Sequence, residues 1–314
     1  MSELNSLGDR KIPFLFIIDF ELNNFYIAPL TTLEPNILFS IDEFSNFKYN
    51  YQTSGSIIKK IPISFAKYQS AFEQVIQEIR KGNTYMLNLT FPTLIKTNLS
   101  LAEIFLSSKA QFKLYFKDKF TVFSPERFIK IENNIIKTYP MKGTIDALIP
   151  NAKQKILANE KEQAEHNMVV DLLRNDLSIV ANKVQVDKFR YVNKIIAGSK
   201  TLLQVSSEIS GILEFNWQSK VGDILSSLLP AGSISGTPKR TTIKIIKTVE
   251  GYQRGFFTGV FGYFDGNKLD SAIMIRFIEK INGQLFYKSG GGITIDSDLE
   301  TEYQEMLDKV YLPI

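Results

Sequence analysis

Residues 255–279 read GFFTGVFGYFDGNKLDSAIMIRFIE and contain two apolar runs joined by a short polar turn. Apolar runs of this length, bounded by Gly, Asn and Asp, are typical of β-strands, and two of them joined by a short turn predict an antiparallel pair. The same arrangement recurs where FKLYFK (112–117) is followed by FTVFSPERFIKI (120–131). The sequence therefore predicts large antiparallel sheets.

Helical patterns are interspersed irregularly among these strands. In residues 65–81, Phe72, Val75 and Ile79 recur at helical spacing, and Gly82 is a typical stop. Further helices are predicted over 100–110, 158–182, 219–228 and 299–311, with another opening from the loop 229–240; further strands are predicted over 14–20, 84–95, 135–143, 201–208 and 284–292.

Two stretches near the start of the chain lack a clear pattern. Residues 1–10 are predicted to form a loose terminus, and residues 31–60 are polar, aromatic and predicted to be mostly irregular. The chain contains no convincing linker, so we expect one domain spanning residues 1–314. Its fold class is α+β.

Composition narrows the possible chemistry. The 314 residues include no cysteine and a single histidine, His166, so a nucleophile–histidine couple would have to use His166. Acid–base chemistry must otherwise come from carboxylates, lysine, tyrosine or a hard metal ion. The net charge of +4 comes from scattered lysines, which argues against a nucleic acid partner. The absence of a signal-like or membrane-spanning run predicts a cytoplasmic protein that does not bind membranes.

Two pairs of glutamates occur at helical i,i+3 spacing. Glu162 and Glu165 share a face of the long central helix, and Glu302 and Glu305 share a face of the last helix. Lys309 follows on that same face. If the two pairs meet across a cleft, their oxygen atoms suit Mg²⁺. Alternatively, each pair is an exposed helix face, which is the commoner place for glutamate.

Two loops have the composition of anion-binding turns. SGGGITIDSDLE (289–300) places three glycines before a helix, with Ser297 and Glu300 spaced as a capping box. Thr237 and Pro238 are spaced as the N-cap and first residue of another helix, whose start would attract an anion. The alternatives are an ordinary turn and an ordinary capped helix.

Three charged residues lie in apolar surroundings. Arg276 is inside an apolar strand and needs a carboxylate partner, either in a ligand or in the protein. Glu126 follows Pro125, and burial there would raise its pKa and suit a general acid, although an exposed glutamate at a strand end is the alternative. Lys142 lies between Met141 and Gly143, where the alternative is an exposed turn lysine.

The order of the motifs resembles a known family. SPERF, PMKGT, EHNMVVDLLRNDL, GSISGTPK, RGFFTGVFGY, SGGGI and DSDLETEYQEMLDKV resemble, in the family's order, the chorismate-binding enzymes. This group includes anthranilate synthase component I, aminodeoxychorismate synthase component I, and the isochorismate and salicylate synthases. The resemblance covers roughly residues 65–312, and residues 1–60 look like a shortened N-terminal region. It implies two large antiparallel sheets packed together with helices outside, and an active site in a cleft between the halves.

The resemblance implies roles for residues at matching positions. Glu165 and Glu305 look like Mg²⁺ ligands, with Glu162 and Glu302 beside them, and the ion would hold the ring carboxylate of chorismate. Glu126 resembles the general acid for the departing C4 hydroxyl. The implied substrate-binding residues are Gly143, Thr144, Ser233, Arg276, Gly290, Gly291, Gly292 and Lys309.

The lysine of PMKGT separates subgroups of the family. Anthranilate synthases carry alanine at this position, whereas aminodeoxychorismate synthases carry lysine. The resemblance implies that the Lys142 amine attacks C2 of the ring as hydroxide leaves C4, after which ammonia attacks C4 and expels the lysine. Because the free amine has a pKa of about 10.4, burial and a nearby divalent cation must lower it. Ammonia would come from a separate glutamine amidotransferase, since the chain has no cysteine for a glutaminase.

Three positions depart from the family pattern. Met86 replaces a glutamine, or the lysine that activates water in other members; Leu203 replaces a histidine; and Phe257 replaces a tyrosine. The missing lysine argues against isochorismate or salicylate synthesis. The leading hypothesis is aminodeoxychorismate synthase component I. The alternatives are anthranilate synthase component I and, because polar groups are lost, a non-catalytic chorismate-binding or regulatory protein.

Overall fold

A computed structural model describes residues 1–48, 55–197 and 200–314. The helices within these ranges are α1 (Ser2–Asp9), α2 (Phe65–Arg80), α3 (Leu101–Ser107), α4 (Ala152–Ala158), α5 (Glu160–Ser178), α6 (Val221–Leu228), α7 (Gly232–Ser235), α8 (Lys239–Glu250) and α9 (Leu299–Asp308). Short 3₁₀ turns lie at Leu30–Thr32 and Trp217–Lys220. No helix in the described part of the chain is both long and apolar enough to cross a membrane.

The strands form two nine-stranded antiparallel sheets. The first sheet contains β1 (Phe14–Ile18), β2 (Phe25–Pro29), β9 (Arg127–Glu132), β10 (Ile135–Thr138), β11 (Met141–Asp146), β12 (Asn182–Ala197), β13 (Lys200–Ile212), β15 (Val260–Phe264) and β16 (Leu269–Ile273). The second contains β3 (Ile37–Ile41), β4 (Phe44–Ser45), β5 (Ile58–Ile61), β6 (Met86–Thr97), β7 (Phe112–Phe116), β8 (Phe120–Ser124), β14 (Gly236–Thr237), β17 (Phe277–Ile281) and β18 (Gln284–Ile293). The predicted α+β class with two large antiparallel sheets is confirmed.

Strand β1 is buried on both faces. Leu15 and Ile17 join the core between the two sheets, where they meet aromatic side chains from β3, β7 and β8. Phe14, Phe16 and Ile18 point the other way, into a larger core covered by helices. Removing a side chain of this size from water contributes about 1.5–3 kcal/mol, so β1 stabilises both layers at once.

The two sheets are connected by strands that cross between them in pairs. The predicted strand 120–131 is interrupted at Pro125 and Glu126, where the chain leaves β8 and enters β9. The predicted strand 269–279 is interrupted in the same way at Arg276, between β16 and β17. The two crossings are hydrogen bonded, from Ile273 N to Glu126 O (3.1 Å) and from Phe123 N to Arg276 O (3.3 Å). The continuous-strand predictions were therefore wrong at these points, which lie between the sheets.

Residues 1–10 are not a loose terminus, so that prediction was wrong. They form α1, whose Leu4 and Leu7 are buried, and Asn5 accepts a hydrogen bond from the backbone of Gly222 (2.7 Å). An eight-residue helix is marginal on its own, so packing against α6 stabilises it.

Other boundaries also differ from prediction. The helix predicted over 158–182 begins at Glu160, because the side chain of Asn159 caps it, and ends at Ser178. Strand β12 was missed because its many charged residues obscure the alternation. Residues 31–60 were predicted to be irregular, but β3, β4 and part of β5 lie there; residues 49–54 are outside the described ranges.

Two predicted caps were wrong. Helix α8 begins at Lys239 and has no side-chain cap, while Thr237 pairs with Met86 across β14 and β6. Helix α9 is capped by Asp298, which accepts a hydrogen bond from Thr301 N (2.9 Å). The pairing of Thr237 with β6 overrides the first capping signal, whereas the second cap is local but lies one residue later than predicted, at Asp298.

Replacing Leu4 with alanine tests the docking of α1. Because Leu4 is fully buried, we expect Leu4→Ala to lower the free energy of unfolding by about 2–5 kcal/mol. Urea denaturation followed by the fluorescence of Trp217, which lies in a turn packed against α1, measures this. The exposed neighbour Glu3 provides the control, because Glu3→Ala removes little contact. Equal stability of the two variants would contradict the docked helix.

Candidate active site

A β-bulge turns Lys142 out of strand β11. Met141 lies opposite Ser206 and Thr144 opposite Gln204, so β11 has one more residue than β13 over this stretch. Gly143 has a φ of +80°, a conformation that favours glycine, and bulges of this kind redirect side chains. The Lys142 ammonium consequently reaches α5 and lies 3.1 Å from Glu165 Oε2. The side chain is only 24% exposed, so the alternative of an exposed turn lysine was wrong.

The protonation of Lys142 is set by two opposing effects. Burial lowers the pKa of its ammonium, but Glu165, Glu305 and Glu162 raise it and prevail. The pKa is therefore above its ordinary value, and the amine is charged at neutral pH. Burial alone does not provide the neutral amine that a nucleophile requires.

The two glutamate pairs face the same space. Burial raises the pKa of Glu162, and the negative charges of Glu165 and Glu305 raise it further. Burial likewise raises the pKa of Glu302, partly offset by a hydrogen bond from Ser297 Oγ (2.8 Å), while Glu305 again adds to the increase. The negative charge of Glu165 on α5 also raises the pKa of Glu302 on α9. Each pair thus lies close enough to shift the pKa of the other, as expected if the pairs meet across a cleft.

The donor set suits a hard cation, although its oxygens do not converge in this structure. Among the described residues, no three acidic or histidine side chains are arranged to hold a metal ion. Instead, Glu165 pairs with Lys142, and Glu305 pairs with Lys309 at 2.5 Å. Carboxylate oxygens are the ligands that a hard cation prefers. A cation bound here would also offset the repulsion between the carboxylates that contributes to the raised pKa of Glu162 and Glu302. The assignment of Mg²⁺ to these residues stays a prediction.

The glycine-rich end of β18 borders the carboxylates. Gly290–Gly292 pair with β6 on one side, whereas the described pairing with β17 stops at Lys288 on the other. The Lys309 ammonium donates to Gly290 O (2.8 Å), and a Cβ added at Gly292 would lie 3.2 Å from Lys142 Nζ. Both lysines thus lie against this strand, beside the glycines that were predicted to bind an anion.

Glu126 lies where the first crossing strand passes between the sheets. Its Oε1 accepts a hydrogen bond from Ser233 Oγ (2.7 Å). Burial raises its pKa and outweighs Ser233, Lys142, Arg276 and Lys309, which all lower it. Burial thus favours the protonated form that a general acid needs, so Glu126 fits the predicted acid.

Arg276 lies on the adjacent crossing strand. Its backbone has a φ of +53°, and its guanidinium lies 5.5 Å from the centre of the Tyr311 ring. Its Nε has no hydrogen-bond partner among the described residues. A half-buried guanidinium with a donor to spare can take a carboxylate from a ligand.

The remaining predicted residues divide between the cluster and its surroundings. A Cβ at Gly143 would lie 3.1 Å from Glu162 Oε2, so this glycine touches the cluster. A Cβ at Gly291 would lie 3.2 Å from Glu302 Oε2. Thr144, by contrast, is exposed on β11.

The three departures and the histidine occupy different places. Met86 is buried, with its Sδ 3.7 Å from the same Gly292 Cβ position that Lys142 approaches. Leu203 is buried on β13, and the Phe257 ring packs on Phe277 in the core between the sheets. His166 bonds through Nε2 to Ser207 Oγ (2.7 Å), and burial lowers its pKa to about 4. A buried, neutral histidine of this kind is structural.

Sequence reasoning missed Asn88 and Arg254. The side chain of Asn88 donates to the carbonyl of Ser233 (3.0 Å). Arg254 donates to the carbonyl of Asn88 itself and to that of Ile234, the residue after Ser233. Arg254 was visible only as the first letter of the RGFFTGVFGY motif, and its partners are distant in the sequence.

Comparison with known proteins identifies the family. A profile described as chorismate binding enzyme matches residues 40–313. A protein of Pasteurella multocida named uncharacterized PabA-like protein is 50% identical over 100% of this chain and 98% of its own length. Aminodeoxychorismate synthase component 1 of Escherichia coli is 35% identical over 78% of this chain and 56% of its own length.

Solved structures show the same fold. Anthranilate synthase component I from Streptococcus pneumoniae superposes with a TM-score of 0.68 at 27% identity, covering 80% of this chain and 58% of that one. The menaquinone-specific isochorismate synthase of Escherichia coli superposes with a TM-score of 0.74 at 17% identity, covering 97% of this chain and 78% of that one. Because the profile matches most of the chain and the fold agrees along nearly its full length, this chain belongs to the chorismate-binding enzyme family.

Proposed function

We propose that the protein is an aminodeoxychorismate synthase component I, which converts chorismate and ammonia to 4-amino-4-deoxychorismate. The observation that carries the proposal is the bulge that directs Lys142 into the carboxylate cluster beside the glycine-rich strand. The similarity to an aminodeoxychorismate synthase component supports it. The activity would belong to the cytoplasmic route towards p-aminobenzoate and folate.

In the proposed reaction, Glu126 and Lys142 act on opposite ends of one displacement. The Lys142 amine forms a bond to C2 of the ring and loses a proton, while the C4–O bond breaks and Glu126 protonates the leaving hydroxide to water. Ammonia then forms a bond to C4 and gives up a proton, the ring double bonds shift back, and the C2–N bond to Lys142 breaks. The departing Lys142 nitrogen takes up one proton, which balances the proton given up by ammonia and regenerates the amine. Arg276 and the amides of Gly290–Gly292 would hold the enolpyruvyl carboxylate.

Glu165 and Glu305, with Glu162 and Glu302 beside them, would hold Mg²⁺, which would bind the ring carboxylate and offset the negative charge that now raises the pKa of Lys142. The remaining chemistry lies with the chain's own residues. Lys309, whose ammonium pairs with Glu305 and donates to Gly290 O, would give a second positive charge on the substrate side.

Replacing Lys142 tests the proposed nucleophile. With chorismate, an ammonium salt and Mg²⁺, we expect the wild-type protein to form aminodeoxychorismate and Lys142→Ala to form at least about 100-fold less, since a catalytic group contributes on this order. Mass spectrometry of the products measures both. The exposed Lys155 gives the matched control Lys155→Ala.

The same measurement separates the alternatives. Anthranilate from the wild-type protein would point to an anthranilate synthase component. Unchanged chorismate that nevertheless binds would point to a non-catalytic protein. Undiminished aminodeoxychorismate from Lys142→Ala would rule out the lysine as nucleophile.

The nitrogen source tests the proposed partner. The isolated chain has no cysteine to form a glutaminase thioester, so we expect turnover with ammonium salts and none with glutamine alone. A coupled assay for aminodeoxychorismate, run with each nitrogen source over the same pH range, measures this. Equal rates with glutamine and ammonium in the purified chain would contradict a separate amidotransferase.

Isosteric removal of charge tests the predicted metal ligands. We expect Glu165→Gln and Glu305→Gln to weaken Mg²⁺ binding at least about 10-fold, because even outer residues of metal sites alter affinity by this much. Calorimetric titration with Mg²⁺ in the presence of chorismate measures the affinity without turnover. Glu300→Gln, at an exposed position of α9, is the control. Unchanged affinity in both site variants would place the ion elsewhere.

A further inference from the structure

Behind Glu126 lies a buried ion pair that the proposed reaction does not use. Glu250 is the last residue of α8, and Arg254 follows it by four residues. Arg254 Nε donates to Glu250 Oε2 (2.9 Å), and its Nη2 donates to Oε1 (2.6 Å). The two side chains are 0% and 1% exposed. A buried ion pair contributes little to stability by itself, so its other bonds deserve an explanation.

The guanidinium of Arg254 has all five of its N–H groups engaged. Besides the two bonds to Glu250, Nη2 donates to Asn88 O (2.7 Å), and Nη1 donates to Ile234 O (3.1 Å) and to Thr258 Oγ1 (3.3 Å). The rigid fork of an arginine can bridge two carbonyls in this way, whereas a lysine ammonium cannot reproduce the geometry. Arg254 therefore fixes the spacing between β6 and α7.

The turn that Arg254 holds is α7, which carries Ser233. A helix of one turn leaves its last carbonyls without partners inside the helix. The carbonyl of Ile234 is satisfied by Arg254, and that of Ser233 by Asn88 Nδ2 at 3.0 Å. Because Arg254 also holds the carbonyl of Asn88, these contacts close a ring that sets where Ser233 lies.

Ser233 is the residue through which this ring reaches the reaction. Its hydroxyl donates to Glu126 Oε1 (2.7 Å), which fixes one oxygen of the predicted acid. We propose that Arg254 is a positioning residue for Glu126, acting through α7 and Ser233. This inference rests on the proposed role of Glu126 as the acid for the C4 hydroxyl.

A double-mutant cycle tests the proposal. Arg254→Lys keeps the charge but loses the bridge, and we expect it to lower kcat for ammonia-dependent chorismate consumption by about 10- to 100-fold, with the KM for chorismate changed less than about 2-fold. Ser233→Ala should have an effect of similar size. The double variant should be no slower than Ser233→Ala, because both changes interrupt one path. If Arg254→Lys lowers kcat by the same factor in the wild-type protein and in Ser233→Ala, the proposal is overturned.

A second measurement does not depend on turnover. The hydroxyl of Ser233 favours the ionised form of Glu126, so Ser233→Ala should raise the pKa of that carboxyl, and Arg254→Lys should raise it in the same direction. Lys142, Arg276 and Lys309 also face Glu126 and stay in place in both variants. Carboxyl carbon NMR, assigned with Glu126→Gln, follows the titration. A pKa unchanged by Arg254→Lys would contradict the proposal even if the protein formed no product.

Two further variants guard against a general loss of structure. Asn88→Ala removes the bond to Ser233 O and leaves the ion pair intact, so it should also lower kcat and raise the pKa of Glu126. It therefore replaces Arg254→Lys as the test if that variant folds poorly. Lys113→Met is the matched control, because the Lys113 ammonium is a buried cation that binds the carbonyls of Phe105 (3.0 Å) and Ser108 (2.8 Å). Lys113→Met should leave kcat and the titration unchanged; if it matches Arg254→Lys in both, the effect is one of stability alone. Absence of product from the wild-type protein would refute the proposed function, while the titration would still decide the role of Arg254.

Discussion

The paired crossing of two strands between the sheets is the constraint on which the site depends. The chain passes from β8 to β9 at Glu126 and from β16 to β17 at Arg276, and each crossing is hydrogen bonded to the other. Backbone groups at the break are therefore still satisfied, which makes an interruption inside two packed sheets tolerable. Charged side chains from distant parts of the sequence consequently lie together on rigid elements, as accurate placement of reacting groups requires.

The charges gathered there are balanced unequally. Burial dominates at Glu126 and raises its pKa, and it also lowers the pKa of Lys309 despite Glu305. At Lys142 the surrounding carboxylates dominate instead, and the pKa is raised. Under the proposed function, the carboxylates keep the Lys142 amine protonated, and it becomes a nucleophile only when they bind a cation. The reaction would then depend on assembly of the complete site, because the lysine would stay protonated and unreactive until the cation and substrate are bound.

The sequence was informative for helical spacing and for hairpins, although both local capping signals were wrong. Both glutamate pairs follow from helical spacing, and the hairpins follow from apolar runs and turns. The crossings at Glu126 and Arg276 were predicted as continuous strands because an apolar run does not reveal which sheet it joins. Helix α1 was missed because docking on α6, rather than propensity, stabilises it. The contacts of Arg254 join segments far apart in the chain, and no spacing rule reports them.

The position of Met86 bears on which nucleophile the site favours. Its thioether and the Lys142 ammonium approach the same point on β18, at the Cβ position of Gly292. A thioether is only a weak hydrogen-bond acceptor and cannot deprotonate water, so it gives no help to hydration of the ring. It also leaves the space beside Gly292, which Lys142 approaches, without a polar side chain at this position. Under the proposed function, an apolar side chain at this position is compatible with attack by the Lys142 amine and gives no base for attack by water.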